Sequence, residues 1–171
     1  MSKQKRIFLV GHSGAGKGIL AERVAERLDW THVNLDYALE PAIGQSMVET
    51  LGEEGKKRFL KTLTDMLQFQ TTMENRVIVT DDAIVFQEEA RKILANEFTV
   101  FIDVSLKTQC ERLSTSRPYL PVENYMGYLE SLRSMRDKYY KQVASFSLNT
   151  DDGDIDKHVD MIIEAFTNPR K

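Results

Sequence analysis

The segment from Gly11 to Gly18 combines four glycines with a histidine, a serine and a lysine. It reads Gly-His-Ser-Gly-Ala-Gly-Lys-Gly, and it lies between the apolar run Ile7–Val10 and an amphipathic helical pattern. In a G-x-x-x-x-G-K-[ST] motif between a strand and a helix, glycines let backbone N–H groups converge on phosphate oxygens, and the lysine adds a positive charge. His12 is expected to be a spacer in this loop. The sequence therefore predicts a nucleotide phosphate site that consists of Gly11, Ser13, Gly14, Ala15, Gly16, Lys17 and Gly18.

The last position of this motif departs from the pattern, because Gly18 stands where a Ser or Thr hydroxyl would bind Mg²⁺. In phosphate-binding loops of this kind, a second metal ligand often follows a neighbouring apolar strand. The run Val77–Thr80 is followed by Asp81 and Asp82, so Asp81 is a candidate to hold Mg²⁺ directly or through water. The alternative is that these aspartates cap a helix that begins near Ala83. The sequence supports the two interpretations about evenly.

Three further residues could assist transfer of a phosphoryl group. Arg117 lies in the polar, proline-bearing segment 114–122, which could close over the phosphates as a lid, and Arg112 is a second candidate cation one turn earlier. Asp36 could orient or deprotonate an acceptor hydroxyl. The alternative for the arginines is an exposed surface position, and Asp36 taken alone would be assigned as a turn residue. Arg136 by itself would be assigned to the exposed face of a long helix.

Strand and helix patterns alternate along the chain. Strands are predicted at Ile7–Val10, His32–Leu35, Arg76–Thr80, Phe98–Val104 and Phe146–Leu148. Helices are predicted at Lys17–Leu28, Ser46–Leu67 with breaks near Gly52 and Gly55, Gln87–Ala95, Leu106–Leu113, Tyr125–Val143, and from Ile155 to Phe166. This alternation favours an α/β fold in which a parallel sheet is covered by helices on both faces. Ligands of such sheets bind beyond the carboxyl ends of the strands, where the candidate residues above are expected.

Composition restricts the classes of function. The chain has 171 residues, 42% of them hydrophobic, and a net charge of -3, which is typical of one globular domain and gives no electrostatic reason to expect nucleic acid as a partner. A single cysteine, Cys110, excludes an intrachain disulfide and fits a reducing compartment. No apolar run approaches the roughly 20 residues of a membrane span. We expect a cytoplasmic protein without a membrane partner, whose oligomeric state is left open.

Several segments together resemble the shikimate kinases, a family of the nucleoside-monophosphate-kinase-like P-loop group. They are Ile7–Gly11 with Gly14–Lys17, Asn34-Leu35-Asp36 with Leu39-Glu40, Gly44-Gln45-Ser46, Arg117-Pro118-Tyr119-Leu120, and Arg136 ahead of Tyr139-Tyr140. The resemblance covers nearly the whole chain. It implies a three-layer α/β/α P-loop kinase fold with a five-stranded parallel sheet of order 2-3-1-4-5 and a lid. It implies one domain over residues 1–171, with the lid near 114–122 and an acceptor-binding region near 36–62.

The resemblance also implies an activity, the ATP-dependent phosphorylation of the shikimate 3-hydroxyl with Mg²⁺. By position, Lys17 and the loop glycines would bind the triphosphate, and Arg117 would be the lid arginine. Asp36 would hold the acceptor hydroxyl, and Arg136 would bind the shikimate carboxylate. The loop near 149–153 would approach the adenine. The predicted catalytic residues are therefore Lys17, Asp36 and Arg117, and Arg112 is placed with the nucleotide.

The chain departs from the family pattern at its metal and acceptor positions. Asn34 replaces the first aspartate of the family's Asp-x-Asp, and Leu60 replaces an arginine that binds the substrate carboxylate. Arg58 is a poor substitute, because two helix positions turn a side chain by ~200°. The family's glycine triplet falls on about Asp81-Asp82-Ala83, which would bring Asp82 into the acceptor site.

These departures make the acceptor pocket more negative, because it loses a positive charge and gains negative charge. We expect a phosphotransferase that binds shikimate poorly and that accepts a neutral or cationic hydroxylated compound. The alternative is a catalytically silent nucleotide-binding paralogue that acts through its conformation or through a partner. Gly18 and Asn34 favour the alternative. The presence of Lys17, Asp36, Arg117 and Arg136 favours the enzyme.

Overall fold

The computed structural model describes residues 5–36, 52–116 and 122–168. Its strands are β1 Arg6–Val10, β2 Thr31–Asn34, β3 Arg76–Val79, β4 Thr99–Asp103 and β5 Phe146–Asn149. The α-helices of these ranges are α1 Lys17–Leu28, α2 Gly52–Gln70, α3 Glu88–Ala95, α4 Leu106–Ser116, α5 Val122–Val143 and α6 Ile155–Thr167. A short 3-10 helix, Asp82–Phe86, follows β3.

The strands form one parallel sheet in the order β2-β3-β1-β4-β5. The predicted sheet and its order are therefore confirmed. Strand β1 lies at the centre, where Leu9 is paired with Val79 of β3 on one side and with Val100 of β4 on the other. Because a central parallel strand is covered on both faces, it needs apolar residues at consecutive positions, and Ile7 to Val10 are all fully buried.

Alternate residues of β1 enter two separate hydrophobic clusters, as the period of a strand requires. Ile7 and Leu9 pack with residues of α1 and α6, whereas Phe8 and Val10 pack with residues of α2, α3 and α5. Helices therefore cover both faces of the sheet, and the three-layer α/β/α prediction is confirmed. In the described part of the chain, no helix has the length and apolar character that crossing a membrane would require.

One predicted feature of α2 is wrong, because the helix runs without a break through Gly55. Gly52 is the first described residue of this helix and has a φ of 75°, so the predicted break near Gly52 stays a prediction. A glycine in a helix interior costs about 1 kcal/mol relative to alanine. The buried stripe of Leu60, Leu63 and Leu67 packs against the sheet and offsets that penalty. The part of this prediction that covers residues 46–51 lies outside the described residues.

Candidate nucleotide-binding site

The loop between β1 and α1 has the backbone geometry of a phosphate cradle. Gly11, Gly14 and Gly16 adopt φ values of 148°, 84° and 95°, which L side chains rarely allow. A side chain at Gly11 would also collide with the carbonyl oxygen of Ile102 on β4. The three glycines are therefore required by the turn itself, and α1 begins directly after it, so that its first N–H groups point into the loop.

Lys17 lies inside this loop and is almost completely buried. Its ammonium group donates to the carbonyl oxygens of Gly11 at 2.5 Å and His12 at 3.2 Å, and to Asp82 Oδ1 at 2.7 Å. Burial lowers the pKa of Lys17, but nearby carboxylates, led by Asp82 and then Asp36, outweigh burial and hold this pKa above its usual value. Lys17 therefore stays protonated, and its charge is balanced by the Asp82 carboxylate.

Asp82 directs its carboxylate into the same loop. Its Oδ1 accepts from Lys17, and its Oδ2 accepts a hydrogen bond from the Ser13 hydroxyl. Burial raises the pKa of Asp82, but the positive charges of Lys17 and then Arg136 outweigh it, so the net shift is downward and the carboxylate stays ionised. The sequence assigns Asp82 to the acceptor side, which remains a prediction, and it gives no sign of this contact with the loop.

Asp81 acts as a helix cap. Its carboxylate accepts a hydrogen bond of 3.0 Å from the N–H of Ala83 at the start of the 3-10 helix. This capping is one of the two sequence interpretations, and the metal role of Asp81 stays a prediction. Within the described ranges, no cluster of three or more His, Cys, Asp or Glu side chains is arranged to hold a metal ion.

A Mg²⁺ site in this protein would nevertheless be compatible with the residues present. Mg²⁺ usually binds through one or two carboxylates together with substrate phosphates and water, and does not require a cage made by the protein alone. Asp82 offers such a carboxylate beside the phosphate loop. Gly18 is exposed, and a Cβ added there would have no heavy atom within 4 Å, so the space of the missing hydroxyl is open.

Asp36 lies just beyond β2, and its charge acts on Lys17. The turn that carries it is held locally, because the backbone N–H of Asp36 donates to Asn34 Oδ1 at 2.9 Å. Asn34 therefore has a structural role in this turn. The structure brings Asp36, Asp81, Asp82 and Lys17 to the carboxyl ends of β1, β2 and β3, as the sequence predicts for a ligand site.

Arg136 on α5 is buried, although its sequence context indicates an exposed helix face. The guanidinium carbon lies 5.1 Å from the centre of the Phe86 ring, and its charge lowers the pKa of Asp82. On the next turn of α5, the Tyr140 hydroxyl donates to the backbone oxygen of Asp82 at 2.8 Å. Helix α5 therefore faces the site. The local helical pattern does not indicate this, because the burial of Arg136 depends on tertiary packing, and the substrate-binding role that the resemblance implies for Arg136 remains a prediction.

Helix α4 anchors the loop from the other side. Arg112 donates to the backbone oxygens of Gly14 at 3.2 Å, Ala15 at 3.3 Å and Thr150 at 2.5 Å. Gln109 Nε2 donates to the Ser13 oxygen at 2.8 Å. Arg112 is predicted to contact the nucleotide, and in the structure its guanidinium joins the phosphate loop to the turn after β5.

A cavity of about 290 Å³ opens beside Arg112. Its lining includes Gly16, Ile19, Leu20, Arg112, Ile155 and His158. An apolar cleft at the first turn of α1, next to the loop near 149–153, has the position predicted for the adenine. The base itself remains a prediction at this place.

His12 makes a contact that the sequence does not reveal. The side chain is buried, its Nε2 lies 2.5 Å from Asp137 Oδ1, and its ring meets the Tyr140 ring edge to face at 4.9 Å. Burial lowers the pKa of His12 despite the nearby carboxylate, so the neutral ring donates its Nε2 proton to Asp137. The partners are 125 residues apart, so no local pattern could have indicated the pair.

Some predicted features lie outside the described residues or away from the site. Arg117 is not among the described residues, so the lid and its arginine remain predictions, and the same holds for residues 37–51 of the acceptor region. Leu60 is buried in the hydrophobic cluster under α2, whereas Arg58 is exposed. Arg58 and Leu60 therefore lie on different faces of α2, and the expectation that Arg58 is a poor substitute for a substrate-binding arginine remains a prediction.

The sequence of the chain is similar to the sequences of shikimate kinases. The family model for shikimate kinase matches residues 13–167. A shikimate kinase of Legionella pneumophila (strain Corby) is 33% identical over 152 residues, which cover 87% of each chain. A shikimate kinase of Xanthomonas euvesicatoria is 31% identical over 154 residues, which cover 88% of this chain and 86% of the relative.

Solved structures give the same result. A shikimate kinase from Acinetobacter baumannii in complex with shikimate superposes with a TM-score of 0.79 and 27% identity, covering 98% of this chain and 96% of the other. A deoxyadenosine kinase from M. mycoides shares the fold, with a TM-score of 0.63, 17% identity, and coverage of 95% and 98%. Together these matches support an ATP-dependent kinase that uses Mg²⁺, as shikimate kinases do in general. With a family model that spans most of its length, the chain belongs to the shikimate kinase family.

Proposed function

We propose that this chain transfers the γ-phosphoryl group of ATP to a hydroxyl of a small neutral or cationic acceptor, and that it binds shikimate poorly. The observation that carries the proposal is the buried contact of Asp82 with Lys17 at the carboxyl ends of β1 and β3. It supports a working phosphate loop whose lysine is charged. It also supports a negatively charged acceptor side, which would repel a substrate that carries a carboxylate.

Each residue has a role in the proposed reaction, because phosphoryl transfer depends mostly on positioning and on neutralisation of charge. The backbone N–H groups of the loop would hold the phosphates, while Lys17 would neutralise the β- and γ-phosphate oxygens. Asp36 would orient the acceptor hydroxyl and accept its proton, and Arg117 would close over the phosphates. When bound, Mg²⁺ supplies further charge neutralisation, and Asp81 and Asp82 are the residues at this edge that would hold it.

The acceptor preference follows from charge. The family position of a carboxylate-binding arginine is Leu60, which is buried in the core. An acceptor carboxylate would instead lie near Asp81 or Asp82, and two like charges 4 Å apart repel by about 4 kcal/mol at an effective dielectric of 20. Loss of a buried arginine–carboxylate pair costs a further ~2–5 kcal/mol. Arg136 offers one positive charge, which already interacts with Asp82.

A turnover assay tests this proposal. ADP release would be followed with Mg·ATP and a panel of hydroxylated compounds that includes shikimate, neutral polyols and amino alcohols. We expect a neutral or cationic acceptor to exceed shikimate at least 100-fold in kcat/KM, and the Lys17→Met variant to show no turnover. Efficient turnover of shikimate by the wild-type chain would contradict the proposed acceptor class, while leaving the kinase activity in place.

A second candidate function is nucleotide binding without catalysis. Gly18 favours it, because this residue cannot supply the hydroxyl that binds Mg²⁺ in the motif. Measuring nucleotide binding and turnover on the same protein distinguishes the two functions. Binding of Mg·ATP together with no turnover on the whole acceptor panel, in the presence of Mg²⁺ and of Mn²⁺, would favour the silent paralogue.

A further inference from the structure

The phosphate loop already holds an anion, the carboxylate of Asp82. One carboxylate oxygen accepts from Lys17 and the other accepts from Ser13, and the Asp82 side chain is 2% exposed. The ammonium group of Lys17 has three N–H donors, and these are directed to Gly11, His12 and Asp82. Phosphate oxygens that approach Lys17 must therefore displace Asp82 or share the lysine with it.

This arrangement has a consequence for the bare nucleotide. The polyphosphate tail brings several negative charges next to a buried carboxylate, and the repulsion is strong where water is excluded. A divalent cation would remove the conflict, because the displaced Asp82 carboxylate could help to hold it and its charge would offset that of the phosphates. The same cation lacks its usual hydroxyl ligand in this loop, since Gly18 has no side chain.

We infer that Asp82 makes the loop select the nucleotide as its complex with a divalent cation, and that Asp82 takes over the ligand position that Gly18 leaves empty. The inference rests on the proposed nucleotide-binding function. It assigns to Asp82 a role that the sequence gives to Asp81.

The structure favours Asp82 over Asp81 for two reasons. The Asp81 carboxylate caps the 3-10 helix through the N–H of Ala83, and release of that cap would leave a buried donor without its acceptor. The backbone of Asp82, by contrast, is held by the Tyr140 hydroxyl through its carbonyl oxygen. Its carboxylate can therefore rotate away from Lys17 without moving the chain.

The test is a calorimetric titration with ADP, once in excess Mg²⁺ and once in EDTA. The wild-type chain is expected to bind ADP at least 30-fold more tightly in Mg²⁺. In Asp82→Asn this ratio should fall below about 3-fold, mainly because affinity for metal-free ADP rises 10-fold or more. Asp160→Asn is the matched control, because it makes the same change at an exposed aspartate that pairs with Arg27 away from the loop, and it should keep the wild-type ratio. Asp81→Asn tests the other candidate ligand.

The possible results distinguish a failure of the proposed function from a failure of the inference alone. If the wild-type chain binds no ADP in either buffer, the proposed function fails and the inference fails with it. If it binds ADP but Asp82→Asn keeps the wild-type ratio, or loses affinity for metal-free ADP, the inference alone is overturned. A fall of the ratio in Asp81→Asn and not in Asp82→Asn would return the metal role to Asp81.

A measurement on the wild-type chain covers the case in which Asp82→Asn does not fold. The side-chain carboxyl carbon of Asp82 can be followed by NMR while Mn²⁺ replaces Mg²⁺ in the ADP complex. We expect paramagnetic broadening of the Asp82 signal to exceed that of the Asp81 signal. Equal sharpness of the Asp82 signal with Mn²⁺ and Mg²⁺ would overturn the inference.

Discussion

At the scale of single residues, the decisive feature is a pair of opposite charges with almost no access to water. The side chains of Lys17 and Asp82 are 3% and 2% exposed, and their charged atoms lie 2.7 Å apart. Removal of one member of a buried pair leaves the other charge without compensation, which usually costs about 3–5 kcal/mol. The pair therefore links the stability of the fold to the function of the phosphate loop.

Lys17→Met should lower the free energy of unfolding by about 3–5 kcal/mol, because it leaves Asp82 buried without its main partner. The double variant Lys17→Met/Asp82→Asn should recover part of that loss. Urea denaturation measures both effects. The matched control is Arg27→Met, which removes an exposed α1 partner of Asp160 and should cost less than about 1 kcal/mol. A Lys17→Met variant as stable as Arg27→Met would contradict the role of the pair.

Gly18 gives a second prediction at this scale. Its position is exposed and helical, and an added Cβ meets no atom within 4 Å. Gly18→Ala should therefore raise the free energy of unfolding by up to about 1 kcal/mol. Gly18→Ser should gain several-fold in affinity for Mg·ADP over Gly18→Ala, because only serine adds a metal ligand. Equal Mg·ADP affinities of the two variants would show that the open space is not a metal position.

The sequence predicts the residues of the site better than their environments. The loop motif specifies backbone geometry, so the positions of its glycines and of Lys17 follow from spacing alone. Burial of Arg136 and the contact of Asp82 with the loop depend on how α5 and the 3-10 helix pack on the sheet. Side-chain orientation of this kind is not encoded in a local pattern, so the residue spacing alone reveals neither feature.

At the scale of elements, α4 and α5 hold the phosphate loop from two sides. Arg112 and Gln109 of α4 donate to carbonyl oxygens of the loop, and Asp137 of α5 accepts from His12. The helix and strand assignments follow from the apolar periods, since β1 is apolar throughout and α1 buries residues at helical spacing. The continuity of α2 through Gly55 could not be predicted, because packing on the sheet outweighs the cost of a glycine in the helix.

The burial of His12 predicts a pH dependence of stability. Burial lowers the pKa of His12 below its unfolded value of about 6.5. As the pH falls below that value, the unfolded chain binds a proton that the folded chain resists, so stability is lost by up to about 1.4 kcal/mol per pH unit. Above that pH, the contribution of His12 to stability is fully present.

Urea denaturation between pH 8 and pH 5.5 measures this effect. His12→Gln should flatten the decline in stability, while His32→Gln, at an exposed position of β2, should keep it. Asp137, Asp82 and Arg133 also act on the His12 charge, so the comparison is made at constant ionic strength. An equally steep decline in His12→Gln would contradict the assignment to His12.

At the scale of the whole molecule, the parallel sheet brings residues from distant parts of the chain to one edge. Asp36, Lys17 and Asp82 follow β2, β1 and β3, which are adjacent in the sheet. Binding of a ligand at this edge engages three strands and α1 together. It should therefore stabilise the fold as a unit.

Mg·ADP should raise the melting temperature of the wild-type chain. At a concentration 100 times its Kd, a ligand that binds only the folded state adds about 2.7 kcal/mol, or roughly 5–10 °C for a domain of this size. Differential scanning fluorimetry measures the shift, which should be small in Lys17→Met. A shift of equal size in both chains would place the nucleotide elsewhere.

We propose above all that the loop from Gly11 to Gly18 binds nucleotide phosphates through Lys17. Calorimetric titration of the chain with ATP in Mg²⁺ measures this binding. We predict one saturable site per chain with a Kd on the order of micromolar, equivalent to about -8 kcal/mol, and an affinity at least 100-fold weaker in a folded Lys17→Met variant. No heat of binding to the wild-type chain, or equal affinity in Lys17→Met, would contradict the claim.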